Sequence, residues 1–171
     1  RASDLGSIKH AVLSGYLSDA DFSFLAALAS AYQLASLDMT NLQSTYSYRF
    51  QGCSQFREVK YSRYWNSTGF YLFEECANIT KVEFPTNIIG GGYLKLDGGT
   101  FRGCTSLEEI RIPSTVQSLG SQCFYLCSNL KTIQLDAMVP PSATEDNFGD
   151  QFSSARLIVP KGTLADYKTA A

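Results

Sequence analysis

A short pattern of apolar residues recurs along most of this 171-residue chain and constrains its fold more than any other feature. The segment from Phe101 to Pro113 has the form F-x-x-C-x-x-L-x-x-I-x-I-P, and a second copy follows 23 residues later at Phe124. Other copies can be aligned on the same frame, including a degenerate one that begins on the N-terminal side. The copies begin at Leu28, Phe50, Phe73, Phe101, Phe124 and Phe148.

The I-x-I step of each copy has a period of two residues, which predicts a short strand with alternate side chains facing a core. Because one copy cannot bury its own apolar face, the copies are expected to stack their strands in parallel around a shared core. A strand at His10–Ser14, with Ala11 and Leu13 facing inward, would bring the number of rungs to seven. The expected fold is therefore an α/β solenoid with a curved parallel sheet and a mostly irregular convex side.

Both ends of the chain contain signals for capping helices. Ser18 opens a capping pattern before an amphipathic segment, which predicts a helix over residues 19–31 with Phe22, Leu25, Leu28 and Ala29 on one face. Thr163 opens a similar pattern before a short C-terminal helix. We therefore expect a single domain over residues 1–171, with an N-terminal strand and helix at 1–27, repeats at 28–147, and the last repeat and cap at 148–171.

The composition excludes several classes of partner. The net charge is −2, so no strong field attracts nucleic acid or an anionic membrane. The chain contains no run of 18 apolar residues, so no transmembrane segment is expected, and residues 1–7 lack the apolar stretch of a signal peptide. Its start at Arg1 fits the processed or cloned remainder of a longer secreted precursor.

Three features together resemble one known family. They are the F-x-x-C-x-x-L-x-x-I-x-I-P frame, the G-S-Q-C-F step at 120–124, and the closing segment from Leu157 to Tyr167. Over residues 8–171 the chain is similar to the BspA-like (Treponema-type) leucine-rich repeat family of bacterial surface and secreted proteins. The resemblance implies an extracellular or cell-surface location and a role in adhesion to host matrix proteins or other bacteria. It implies no catalytic residue.

Two regions depart from the regular repeat. An insertion over residues 86–100 lengthens one period to 28 residues, and the copy that begins at Phe50 is unusually rich in aromatic residues. The insertion contains Gly90–Gly92 and Gly98–Gly99, which predict turns because they lack the strand, helix and spacing of a nucleotide-binding loop. Either region is a candidate for a specialised function.

The five cysteines are predicted to be buried free thiols. Four of them recur at one repeat position, where stacking would bring neighbouring Cα atoms within disulfide range, so bridges remain an alternative. The chain has no C-x-x-C pair and a single histidine, His10, and no other motif supplies a nucleophile with a base. We therefore expect no metal, no cofactor and no enzymatic activity. The cysteines are Cys53, Cys76, Cys104, Cys123 and Cys127.

The outward positions of the strands form two columns in which opposite charges alternate. Such a face is either neutralised by its own cross-strand pairs or used to recognise a protein partner. For the second interpretation, which gives the leading functional hypothesis, the predicted partner-binding residues are Glu58, Lys60, Lys81, Glu83, Glu109 and Arg111.

Exposed tyrosines suggest a second hypothesis, binding of a glycan by aromatic stacking. Tyr61 and Trp65 are excluded because their register predicts core positions; Trp65 takes the place of Ile88, Val116 and Val139 in later copies. The remaining candidates for glycan binding are Tyr46, Tyr48, Tyr64 and Tyr71. A third hypothesis is a structural spacer that holds other regions apart.

Overall fold

The computed structural model describes residues 8–44, 50–149 and 154–169. Nine strands and two helices are defined there, and every paired strand runs parallel to its neighbour. A strand lies at each of the seven predicted rung positions, and two further strands lie elsewhere in the rungs. The strands are β1 His10–Gly15, β2 Ser36–Leu42, β3 Glu58–Lys60, β4 Lys81–Glu83, β5 Leu94–Leu96, β6 Glu109–Ile112, β7 Val116–Leu119, β8 Thr132–Leu135 and β9 Arg156–Ile158.

The N-terminal helix forms where the sequence predicts it. Helix α1, Asp19–Tyr32, starts with a capping box in which the Ser18 side chain accepts from the Asp21 amide and the Asp21 carboxylate accepts from the Ser18 amide. It ends before Gln33, which has a left-handed φ of 58°. The predicted face of α1 is buried in the core. The short helix α2, Leu164–Thr169, lies at the C-terminal end and buries Tyr167.

A stack of phenylalanine rings runs through the core, one ring from each regular copy. Neighbouring rings are nearly parallel, with interplanar angles of 6° to 13°. Their centroids lie 5.3 to 6.0 Å apart, the spacing expected of packed aromatic pairs. The recurring phenylalanine of the sequence therefore joins successive rungs into one continuous core. The stacked rings belong to Phe50, Phe73, Phe101, Phe124 and Phe148.

The strands at the seven rung positions form the front face of the solenoid, but hydrogen bonding along this face is not continuous. One ladder joins β1, β2, β3 and β4, and a second joins β6, β8 and β9. Strands β4 and β6 are close neighbours in space but share no ladder. The sequence did not predict this division, which falls at the rung that carries the insertion.

A recurring main-chain bond is missing at the division. At four junctions between rungs, two successive amides donate to one carbonyl of the preceding rung, at distances of 2.7 to 3.2 Å. Among the described residues, no backbone bond joins Glu108 or Glu109 to the carbonyl of Thr80, where the repeat predicts one. The acceptors at the regular junctions are the carbonyls of Lys9, Ala35, Arg57 and Glu108.

On the opposite side of the same two rungs the backbone remains bonded. Strands β5 and β7 pair there, and isolated bridges at Ser67 and Ser142 extend this back ladder by one step at each end. Leu94 pairs with Val116, so Leu94 and not Ile88 takes the position predicted from Trp65, and Val139 is 77% exposed and not in the core. The two rungs are thus joined at the back and open at the front.

Candidate functional site

A crevice of about 480 Å³ opens on the front face between β4 and β6. Its depth shows in the burial of Val82, the inward residue of β4, which is only half-buried. The equivalent residues Val59 and Ile133 in continuous ladders are 0% exposed. The crevice therefore reaches through the sheet to the edge of the core.

Four of the six residues predicted to bind a partner line this crevice. Lys81 and Glu83 lie on the wall formed by β4, and Glu109 and Arg111 lie on the wall formed by β6. Glu58 and Lys60 lie on β3, outside the crevice, and Lys60 borders an adjoining cavity of about 240 Å³. The structure thus brings together residues that the sequence placed only in two columns.

The charges of the β4 wall are paired among themselves. The Lys81 ammonium lies 2.6 Å from the Glu83 carboxylate, and the Lys60 ammonium lies 3.4 Å from it on the other side. The hydrogen bond from Lys81 lowers the pKa of Glu83, and the same bond raises the pKa of Lys81. Both groups therefore stay ionised at neutral pH.

The β6 wall has its own ion pair and one unpaired acid. The Arg111 Nε donates to the Asp136 carboxylate at 2.7 Å, and Gln134 donates to the other oxygen of Asp136 at 2.8 Å. Among the described residues, no cation lies within ion-pair distance of Glu109, which is exposed. The predicted alternation of charge between neighbouring strands thus gives no ion pair across the crevice, because β4 and β6 do not belong to one ladder.

Sequence analysis did not select two of the residues that complete this site. Asp136 directly follows β8 and holds Arg111 in place, and Thr86 lies at the rim at the start of the insertion. Asp136 lies one residue beyond the repeated frame, so the alignment of copies could not reveal it. Thr86 could have been selected only from its position beside the longer period.

The tyrosine candidates are only partly within the described residues. Tyr46 and Tyr48 lie outside them. Tyr64 is 38% exposed, and the Arg63 guanidinium lies 5.7 Å from its ring centroid. The half-buried ring of Tyr71 covers Gly99, where an added Cβ would lie 2.2 Å from the ring.

Tyr61 and Trp65 are buried, at 1% and 2% exposure, which confirms their predicted core positions.

The five cysteines are free and buried, as predicted. Three of them donate their thiol hydrogen to the carbonyl of a phenylalanine in the preceding rung, at 2.9 Å for Cys76, 3.4 Å for Cys104 and 3.2 Å for Cys127. Burial raises the pKa of the Cys123 and Cys127 thiols to about 12, and it also raises the pKa of Cys76 and Cys104. These thiols act as small core residues that satisfy main-chain carbonyls.

We expect the thiols to be nearly inert to a thiol reagent in the native protein, because the thiolate is the reactive form and it is disfavoured here. Titration with a chromogenic disulfide at pH 8 should detect the five cysteines only after addition of denaturant. Stability should fall as the pH rises above 9.0, the ordinary thiol pKa, because the unfolded chain then releases protons that the folded chain keeps. A native thiol that reacts within seconds would contradict this expectation.

The described residues contain no group of three or more histidine, cysteine or acidic residues that could hold a metal ion. The helices found among them are also too short to cross a lipid bilayer.

The stacked rungs, the parallel front strands and the helix at each end define a leucine-rich-repeat solenoid. The family model for the BspA type leucine rich repeat region, in six copies, matches residues 26–140 and 88–155. The chain belongs to this family, and the resemblance found in its repeats is confirmed. No functionally curated protein matches the chain.

Two solved structures share this fold. A leucine rich cell surface protein from Faecalibacterium prausnitzii A2-165 is 22% identical, with a TM-score of 0.62 over 73% of this chain and 31% of its own. A leucine-rich repeat protein from Bacteroides ovatus ATCC 8483 is 18% identical, with a TM-score of 0.52 over 91% of this chain and 43% of its own. The chain therefore spans less than half the length of either protein.

Proposed function

We propose that this chain is a protein-binding module of a bacterial cell-surface or secreted protein, and that its front face contacts the partner. The observation that carries the proposal is the crevice between β4 and β6. It interrupts an otherwise regular face and gathers four charged residues and an unpaired carboxylate around an apolar floor. Membership of the BspA-type family and the likeness to a cell surface protein support the location and the role in adhesion.

The partner is best sought among proteins that a bacterial surface meets. Immobilised extracellular-matrix proteins should bind the purified chain saturably, and a glycan array measured in parallel tests the tyrosine hypothesis. The variant Glu83→Ala/Arg111→Ala should weaken protein binding at least tenfold, because it removes one charged residue from each wall. Binding should also weaken with added salt.

The matched control is Glu108→Ala/Lys131→Ala, which removes an exposed ion pair of the same net charge outside the crevice. We expect this control to bind like the unaltered chain. Equal loss in both variants, or undiminished binding in the first, would place the contact elsewhere. Retention on glycans that Tyr64→Ala/Tyr71→Ala abolishes would instead favour carbohydrate binding, and silence in both screens would favour a spacer.

A further inference from the structure

The crevice also indicates which group of a partner would enter it, an inference that rests on the proposed protein-binding function. We propose that the crevice accepts an arginine or lysine side chain carried by an extended segment of the partner polypeptide. The charges of the walls, the apolar floor and the missing main-chain bonds each support this occupant.

The balance of charge favours a cation. Five ionisable side chains line the crevice, and three of them are acids. Lys81 is held by Glu83 and Arg111 by Asp136, which leaves the carboxylate of Glu109 unpaired. An incoming cation can pair with Glu109 without breaking either existing ion pair. An incoming carboxylate would compete with Asp136 for Arg111 and would lie close to Glu109.

The shape of the crevice favours a long side chain with an apolar stem. The floor is lined by Val82, Phe84, Ile110 and Pro113, and charged groups lie along the walls. Arginine and lysine have aliphatic stems that pack on apolar surface while their charged ends reach polar groups. A basic side chain can therefore cover the exposed part of Val82 and place its charge beside Glu109.

The main chain favours a polypeptide over a free amine. No backbone bond joins Glu108 or Glu109 to the carbonyl of Thr80, so the facing edges of β4 and β6 lack the bond of a regular junction. An extended peptide carries amides and carbonyls that can bond to such edges, as in the addition of a strand to a sheet. A polyamine or an amino sugar has no such series of groups.

Blocked pentapeptides with one variable central residue between alanines test this proposal on the intact chain. Chemical-shift changes of the backbone amides should be followed by NMR while the peptide is added to millimolar concentration. Peptides with central arginine or lysine should shift the amides of Val82 and Glu109 saturably. A central glutamine should bind at least tenfold more weakly, and a central glutamate should cause no saturable change at these amides.

Three variants locate the contact. Glu109→Gln should weaken the arginine peptide about tenfold, because it removes the charge-assisted hydrogen bond. Thr86→Trp should weaken it as well, because a large ring at the exposed rim would occupy the crevice. Glu108→Gln is the control, since this exposed carboxylate lies outside the crevice and pairs with Lys131. The same spectra show whether each variant is folded.

Equal binding of the glutamate peptide, unchanged affinity of Glu109→Gln, or absence of saturable shifts would overturn the proposal. The proposed function is tested separately. If the peptides fail but Glu83→Ala/Arg111→Ala loses a matrix partner, only the inferred basic side chain is wrong. If the arginine peptide binds as expected but no protein of the matrix panel does, the inferred crevice ligand stands and the adhesion role is overturned.

Discussion

Replacing Phe101 by alanine is expected to lower the free energy of unfolding by about 3 to 5 kcal/mol. Its ring stacks on Phe73 at 6.0 Å and on Phe124 at 5.6 Å, and it meets Tyr61 and Phe84 nearly edge-on. Removal would leave a cavity in the middle of the core, where neighbours on both sides are fixed by their own rungs. Urea unfolding followed by circular dichroism would measure the loss.

The control for this variant is Phe24→Ala on helix α1, where the side chain is 55% exposed. It removes the same atoms from a position with few core contacts, so we expect a loss below about 1 kcal/mol. A loss at Phe101 no larger than the loss at Phe24 would show that the phenylalanine stack does not stabilise the solenoid.

Replacing Gly120 by alanine is expected to cost about 2 to 3 kcal/mol, because the added methyl group meets backbone that cannot move aside. Its Cβ would lie 2.6 Å from the Gly98 nitrogen, 2.8 Å from the Asp97 carbonyl carbon and 2.9 Å from the Leu96 oxygen. The Gly120 amide also donates to the Leu96 carbonyl at 2.7 Å. Relief of the clash would therefore separate β5 from β7, and thermal unfolding should show a clearly lower midpoint.

Gly52→Ala separates crowding from backbone strain. Gly52 has a φ of +70°, and nothing lies within 4 Å of its Cβ position. The substitution should cost only the strain of a left-handed alanine, about 1 kcal/mol. If Gly52→Ala proved as destabilising as Gly120→Ala, close packing between the rungs at Gly120 would not explain the larger effect.

The repeat predicted most of the architecture because each copy carries its own local signals. The phenylalanine positions, the seven rung strands and helix α1 follow from periodicity and from the Ser18 cap, which depend on neighbouring residues. The gap between β4 and β6 depends on how a long rung packs against the next one. No pattern within one copy encodes that geometry.

The same limit applies to the candidate site. Column order placed Lys81 beside Glu109 and Glu83 beside Arg111, but it assumed equal spacing between all strands. The ion pairs of Glu83 with Lys81 and of Arg111 with Asp136 form within the walls because the sheet is divided between them. Residue types were therefore predicted correctly on the front face, whereas their partners at the division required the structure.

The division of the front sheet also bears on how the solenoid folds. In stacked repeats, stability is approximately a sum of terms for single rungs and for the interfaces between nearest neighbours. At the interface between the rungs of β4 and β6, the phenylalanine stack and the β5–β7 ladder remain, but the front hydrogen bonds are missing. We expect unfolding that spreads from either end to pause at this boundary, which would divide the array into two cooperative units.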